Sequence, residues 1–343
     1  MMRLEEFNYH LPSSLIAQYP SPQRGTSSLM VLCRIDGSIE HRIFQDLLDY
    51  LRPGDLLITN NTRVIPARLF GKKETGGKIE VLVIPQWNGA KGEWEVLFKG
   101  SRKVSQGVRI HFDRDLYGEV EEAKDGRGKI RFSTHPQMLE ILRNIGHIPL
   151  PPYIKRKDEV LDGDRYQTVF AERDGSIAAP TAGLHFTPSL LQSIRSRGVG
   201  VTSITLHVGI GTFLPVKSLN VEDHRMEKEW VEIPEEVKEK VEQAKTQGGR
   251  VIAVGTTTTR ALESFSNENG GVRPGTGMTS LFIYPPYCFR VIDGLVTNFH
   301  LPRSTLIMLV AAFAGKDLIM KAYREAVERG YRFYSYGDAM LIL

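Results

Sequence analysis

The chain has 343 residues, which allows about two domains and a large buried core. Its two cysteines, Cys33 and Cys288, exclude a disulfide framework and a thiolate metal site and suit a reducing cytoplasm. The formal net charge is +4, and the 15 Lys+Arg against 11 Asp+Glu between residues 64 and 145 account for all of it. A basic segment beside a neutral remainder is a weak sign of a polyanionic partner, and a solvated strand-rich surface is the plainer alternative.

Residues 1–63 look mixed, with a strand expected at 55–59. Residues 1–10 carry no signal-peptide core, and the longest apolar run, 306–314, is too short to span a bilayer and reads as a buried helix. We therefore expect a cytoplasmic protein with no membrane partner. From 64 to 145 the pattern is mostly β. Residues 78–84, 94–98, 108–112 and 129–132 alternate apolar and polar, and Gly76-Gly77, Asn88-Gly89 and Asp125-Gly126 supply hairpin turns. Short strands with regular turns predict a small antiparallel barrel, because closure removes exposed edges. A short helix is expected at 137–144 before the chain leaves at 149–152.

Beyond that point helices and strands alternate. Thr187-Pro188 is an N-cap followed by a first-turn proline, and Gly198 is a stop. A strand follows at 199–208, then a charged amphipathic helix from Pro234 to Gly248-Gly249, a buried strand at 250–255, and helices at 256–266 and 317–328. This alternation predicts a layered α/β fold with a largely parallel sheet. The expected organisation is a discontinuous α/β catalytic domain, residues 1–63 plus 146–343, interrupted by an inserted small antiparallel β-barrel domain, residues 64–145.

Polar residues gather at the edges of apolar runs in this α/β part. His185, His207 and His300 each follow an apolar residue at a strand end or in a Gly/Thr-rich loop, where an imidazole can titrate near neutral pH. The alternative for each is a neutral ring bonded to buried backbone. No ligand pair at helical spacing and no cysteine partner accompanies them, so no metal site is expected. Gly255-Thr256-Thr257-Thr258-Thr259-Arg260 follows a strand and opens a helix. Its N–H groups, hydroxyls and Arg260 suit an anion, unless the threonines only serve their own helix. It lacks the Gly-Lys-Ser/Thr ending of a phosphate-binding loop. Ala178-Ala179-Pro180-Thr181-Ala182-Gly183 is small enough to bring backbone close to a ligand, or to form a tight turn under an interface. Asn60, Arg63 and Arg68 sit at the barrel junction. Guanidinium forks there suit phosphate contacts, with an interdomain ion pair as the alternative.

Four strings carry most of these residues: Ser-Ile-Ala-Ala-Pro-Thr-Ala-Gly-Leu-His-Phe-Thr at 176–187, Leu-His-Val-Gly-Ile-Gly-Thr-Phe at 206–213, Val-Gly-Thr-Thr-Thr-Thr-Arg at 254–260 and Thr-Asn-Phe-His-Leu-Pro-Arg-Ser at 297–304. With Asn60-Asn61-Thr62-Arg63-Val64-Ile65-Pro66-Ala67-Arg68, Leu150-Pro151-Pro152-Tyr153-Ile154 and the ending Phe333-Tyr334-Ser335-Tyr336-Gly337-Asp338-Ala339-Met340, they span nearly the whole chain. The set closely resembles the S-adenosylmethionine:tRNA ribosyltransferase-isomerases of queuosine synthesis. The resemblance implies a two-domain enzyme. It would move the ribosyl part of S-adenosylmethionine to an aminomethyl-deazaguanine at the tRNA wobble position, as an epoxycyclopentane, while adenine and methionine leave.

On that reading His185, His207, His300 and Glu229 are the catalytic candidates. Thr181, Gly183, Gly209, Gly211, Thr256, Thr257, Thr258, Arg260 and Asn298 are the candidates for holding S-adenosylmethionine, and Asn60, Arg63 and Arg68 for tRNA. S-adenosylmethionine is a consumed substrate, so no cofactor is expected, and we expect a monomer. Two departures stand out: Glu227, where the family commonly has His, and Pro286, where it usually has Gly. Two other functions are alternatives. An S-adenosylmethionine-dependent RNA methyltransferase would release S-adenosylhomocysteine, and its usual Gly-rich loop after the first strand is missing. A non-catalytic RNA-binding module would leave the His and Thr loops without a purpose.

Overall fold

A computed structural model describes residues 1–85, 92–100, 104–133, 137–213, 216 and 218–343. The expected turn at Asn88-Gly89 lies outside the described residues. In chain order the strands are β1 (Ser28–Leu32), β2 (Ile39–Ile43), β3 (Leu56–Asn60), β4 (Thr62–Val64), β5 (Arg68–Lys73), β6 (Lys78–Val83), β7 (Glu93–Lys99), β8 (Arg109–His111), β9 (Tyr117–Lys124) and β10 (Arg127–Phe132). They continue as β11 (Arg173–Ser176), β12 (Gly200–His207), β13 (Glu229–Ile233), β14 (Val251–Val254), β15 (Gly275–Thr279), β16 (Gly294–Asn298) and β17 (Ala339–Ile342).

Nine of these strands form one sheet in the order β15-β13-β12-β3-β14-β16-β17-β1-β2. Its centre, β12-β3-β14-β16, is parallel, and β1 is parallel to β17. The pairs β12–β13, β13–β15, β16–β17 and β1–β2 are antiparallel. The sheet is therefore mixed rather than largely parallel. Among the described residues between β12 and β13 the chain makes short 3₁₀ turns and no crossover helix, and β13 returns antiparallel to β12. The helix at Thr305–Ala314 is apolar on nearly every side, and Ile307, Met308, Leu309, Val310, Ala311 and Phe313 are buried, as that composition demands. Thr187 Oγ1 accepts from the Leu190 N–H at 3.1 Å, and Pro188 opens the helix Pro188–Ser196, which Gly198 ends at φ +79°.

The second body is a closed six-stranded barrel, β10-β7-β6-β5-β8-β9. Ile79, Val81 and Val83 alternate inward along β6. Asp125 and Gly126 have φ of 49° and 80°, the all-positive turn that fits strand twist in a two-residue hairpin. Strands β5 and β9 were not legible by alternation, because glycines take inward positions. A Cβ on Gly71 would meet Ile110 and Phe112 at 2.8 Å, and one on Gly118 would meet Ile130 at 2.4 Å. The barrel core also takes Met138 and Leu142 from the helix Met138–Ile145, and Ile177 and Ile210 from the α/β part. The chain passes into the barrel after β4, and β11 then pairs with β4 in parallel, with Thr62 opposite Arg173.

Candidate functional site

A cavity of about 650 Å³ lies at the carboxyl ends of β12, β14 and β16, where open α/β sheets take their ligands. The run from Ala178 to Ala182 lines part of it, and Gly255, Thr256 and Thr257 another part. Asn298, His300, Tyr153, Tyr166 and Tyr334 add polar and aromatic groups to the lining. The Tyr153 and Tyr334 rings stack 4.4 Å apart, and Tyr153 Oη sits 2.5 Å from Ser335 Oγ. Tyr334 and Arg303, both on the wall, have φ of 72° and 58°. Such left-handed backbone in non-glycine residues is uncommon and concentrates at functional sites.

Three buried polar atoms of residues lining this cavity have no hydrogen-bond partner among the described residues: Asn298 Oδ1 and the Tyr166 and Tyr334 hydroxyls. Orphaned groups in native interiors are rare and call for an explanation, and here all three belong to residues lining one cavity.

The three histidines occupy different settings. His300 lines the cavity. Its Nε2 lies 2.7 Å from Thr297 Oγ1, whose own hydroxyl donates to the Asn298 carbonyl at 3.4 Å. Nε2 is thus tied to Thr297, and Nδ1 has no hydrogen-bond partner among the described residues. Burial lowers its pKa to about 3, so the ring is neutral at pH 7. His185 lies behind the wall, stacked on Phe44 at 4.9 Å, with Nδ1 2.6 Å from Ser27 Oγ and Nε2 3.1 Å from Asn298 Nδ2. Burial, then the nearby Arg332 and Arg24 charges, lowers its pKa to about 3. Both of its nitrogens are engaged, so it has none to offer a ligand in this arrangement.

His207 faces a second cleft of about 630 Å³ between barrel and sheet. Its Nδ1 is 2.7 Å from Thr62 Oγ1, its ring stacks on Trp230 at 5.1 Å, and burial followed by Arg173 lowers its pKa to about 4. Lys124, Arg127 and Lys129 of the barrel line this cleft, as do Gly209, Glu227 and Glu229. Val208 lines both cavities, so the two meet at the end of β12.

Other candidates fall elsewhere. Thr181, Gly211, Thr256 and Thr257 line the first cavity. Gly183 does not: a Cβ there would strike Phe170 at 2.6 Å and Thr168 at 2.7 Å, so it serves packing. Thr258 is fully buried and donates back to the Val254 carbonyl at 2.7 Å. Arg260 turns away from the cavity and pairs with Glu229, whose other oxygen accepts from the Gly209 N–H at 3.1 Å. Asn60 is wholly interior, tying Leu206 N–H and C=O at 3.0 and 2.9 Å, so a direct tRNA contact does not follow for it. Arg68 Nη2 donates to the Leu150 carbonyl at 2.9 Å while Nε lies 3.2 Å from Glu80. Arg63 is half-exposed, with Nε 3.8 Å from Asp174. Glu227 pairs with Arg127 at 2.7 Å, linking the α/β part to the barrel. Tyr153, Tyr334 and Ser335 line the first cavity and are not among the sequence candidates. Their strings stand out in the sequence, but no spacing rule says that segments so far apart converge.

A ligand cavity at the strand ends of a mixed α/β sheet, beside a barrel that puts Lys124, Arg127, Lys129, Glu95 and Glu122 on a second cleft, is the layout of a two-body ligand-binding protein. The family model described as "Queuosine biosynthesis protein" matches residues 4–342. The S-adenosylmethionine:tRNA ribosyltransferase-isomerases of Halothermothrix orenii and Pelotomaculum thermopropionicum are each 52% identical to this chain, with all of this chain and all of each relative covered. The crystal structure of S-adenosylmethionine tRNA ribosyltransferase from Thermotoga maritima is 41% identical, covers 98% of this chain and 100% of its own, and superposes with a TM-score of 0.57. The chain belongs to the queuosine biosynthesis protein family, as the resemblance of its strings implies, and is a tRNA-modifying enzyme.

Proposed function

We propose that this protein transfers the ribosyl moiety of S-adenosylmethionine to the aminomethyl-deazaguanine wobble base of tRNA and isomerises it. The products are epoxyqueuosine-tRNA, adenine and methionine. The observation that carries this reading is the pair of cavities meeting at Val208. The first, with its small-residue wall and stacked tyrosines, takes S-adenosylmethionine. The second takes the modified base, with Lys124, Lys129 and Arg127 beside the tRNA backbone.

The reaction needs a base for the ribose methylene beside the sulfonium, a route for a proton to departing adenine, and a neutral primary amine on the tRNA. His300 is the ring in the first cavity with an open nitrogen, and it takes the first role. Glu229, held at the second cleft by Arg260 and the Gly209 N–H, faces the amine. Proton transfers and bond exchanges complete the reaction without net electron transfer, so no metal or redox cofactor is proposed. The protein works as a cytoplasmic monomer. Among the described residues, no helix is long and apolar enough to cross a membrane.

Incubation with labelled S-adenosylmethionine and precursor tRNA tests the proposal. Free adenine, free methionine and epoxyqueuosine in the RNA are expected. S-adenosylhomocysteine as the main product would replace this reading with a methyltransferase.

A further inference from the structure

Asn298 is 2% exposed and lines the first cavity, yet its Oδ1 has no partner. Its amide cannot turn over to find one. The Tyr334 carbonyl, 3.0 Å away, can only accept, so the atom facing it is the nitrogen. The same nitrogen lies 3.1 Å from His185 Nε2. With one N–H given to Tyr334, the other goes to His185, which must accept through Nε2 and carry its own proton on Nδ1. That proton points to Ser27 Oγ at 2.6 Å. The chain Ser27–His185–Asn298–Tyr334 is thus a set of donors and acceptors with one consistent direction, and its free end is an acceptor. A buried acceptor without a partner is costly unless something supplies one.

We propose that Asn298 Oδ1 is the acceptor for an N–H donor of the bound sulfonium nucleoside, and that His185 is the positioning residue that holds the amide in this orientation. The inference rests on the proposed function. It gives His185 a role that the proton-transfer expectation did not: the ring serves by staying neutral. A protonated His185 would present N–H to N–H and turn the amide away. Burial against Phe44, with Arg24 and Arg332 nearby, keeps it neutral. The donor is either the purine 6-amino group or the methionine α-ammonium, and both belong to the same ligand.

Calorimetric titration of the full chain with S-adenosylmethionine and two analogues tests this. One analogue lacks the 6-amino group and the other lacks the α-amino group. Against the wild type, one of the two should bind about 10- to 100-fold more weakly than S-adenosylmethionine, since it leaves the acceptor unpaired. In Asn298→Ala that difference should shrink to about twofold, and the analogue concerned identifies the donor.

His185→Phe keeps the stack on Phe44 but offers no acceptor. It should weaken S-adenosylmethionine binding by about tenfold and shrink the same analogue difference. It also serves as the probe if Asn298→Ala fails to fold. His185→Gln presents an amide oxygen to Asn298 without titrating, and should keep binding and turnover within about fivefold of wild type. Persistence of both analogue differences in Asn298→Ala and in His185→Phe overturns the proposal. So does a loss of turnover of 100-fold or more in His185→Gln with binding intact, because His185 would then carry protons. A wild type that binds no S-adenosylmethionine overturns the proposed function along with it. A wild type that binds and turns over, yet shows no coupling through Asn298, overturns this inference alone.

Discussion

Arg260 Nη1 donates to Glu229 Oε2 in the interior, with both side chains almost wholly buried. The sequence suggests a separate task for each, one to hold an anion and the other to act as base or amine partner. Paired, they hold each other's charge, and the remaining Glu229 oxygen fixes the Gly209 N–H where the two cavities meet.

Removing one partner of a buried pair leaves an uncompensated charge. Arg260→Met should therefore cost about 3–5 kcal/mol of stability in urea unfolding. The double variant Arg260→Met/Glu229→Leu should recover much of that loss, because two apolar side chains of similar volume can replace a buried pair. Equal instability of the single and double variants would show that the arginine acts through something other than Glu229.

His300→Gln keeps a hydrogen-bonding amide for Thr297 and loses the titratable ring. Single-turnover adenine release should fall by a factor of about 100 to 10,000, while S-adenosylmethionine affinity stays within a few-fold of wild type. Wild-type turnover in this variant would take His300 out of the mechanism.

Acid should destabilise this protein early. His185 and His300 have folded-state pKa values near 3 and His207 near 4, each lowered first by burial, against about 6.5 when unfolded. Between those values the unfolded chain binds more protons. The contribution of the neutral rings is complete above about pH 6.5 and is lost as pH falls toward 3–4, at about 1.4 kcal/mol per pH unit for each ring. Melting temperature should be flat from pH 7 to 8, fall from pH 6 to 5, and fall less in His300→Gln. A melting temperature unchanged down to pH 5 would mean that these rings are not held neutral.

Binding of tRNA should weaken as salt rises, because counterion release favours it less. Lys124→Ala, at the barrel cleft, should lower the slope of log affinity against log salt by about one for every phosphate left without its lysine. Arg68→Ala should leave the slope unchanged and lower the melting temperature, since its guanidinium serves Leu150 and Glu80. The opposite pattern would move the tRNA-binding surface to the barrel junction.

Local chemistry makes much of this protein readable in advance. The Thr187-Pro188 cap, the Asp125-Gly126 turn, the all-apolar run near residue 310 and the helix–strand alternation depend on neighbours within a few residues, and each forms as expected. The resemblance of ordered strings points to the family, and His300, Asn298, Thr181, Thr256 and Thr257 do line the cavity.

What the side chains do there is decided by contacts between residues 31 to 158 positions apart. Ser27, His185, Asn298 and Tyr334 meet only when β1, β16 and the segment before β17 are brought together, and only then is His185 tied at both nitrogens. Arg260 reads as a cavity residue because it follows five polar or small positions at a helix start, yet its position on the helix Thr256–Ser264 turns it toward β13 and Glu229. The identity of a residue sets which bonds it can make. Which of them it makes depends on the donors and acceptors that burial leaves within reach, and those are supplied by the tertiary fold.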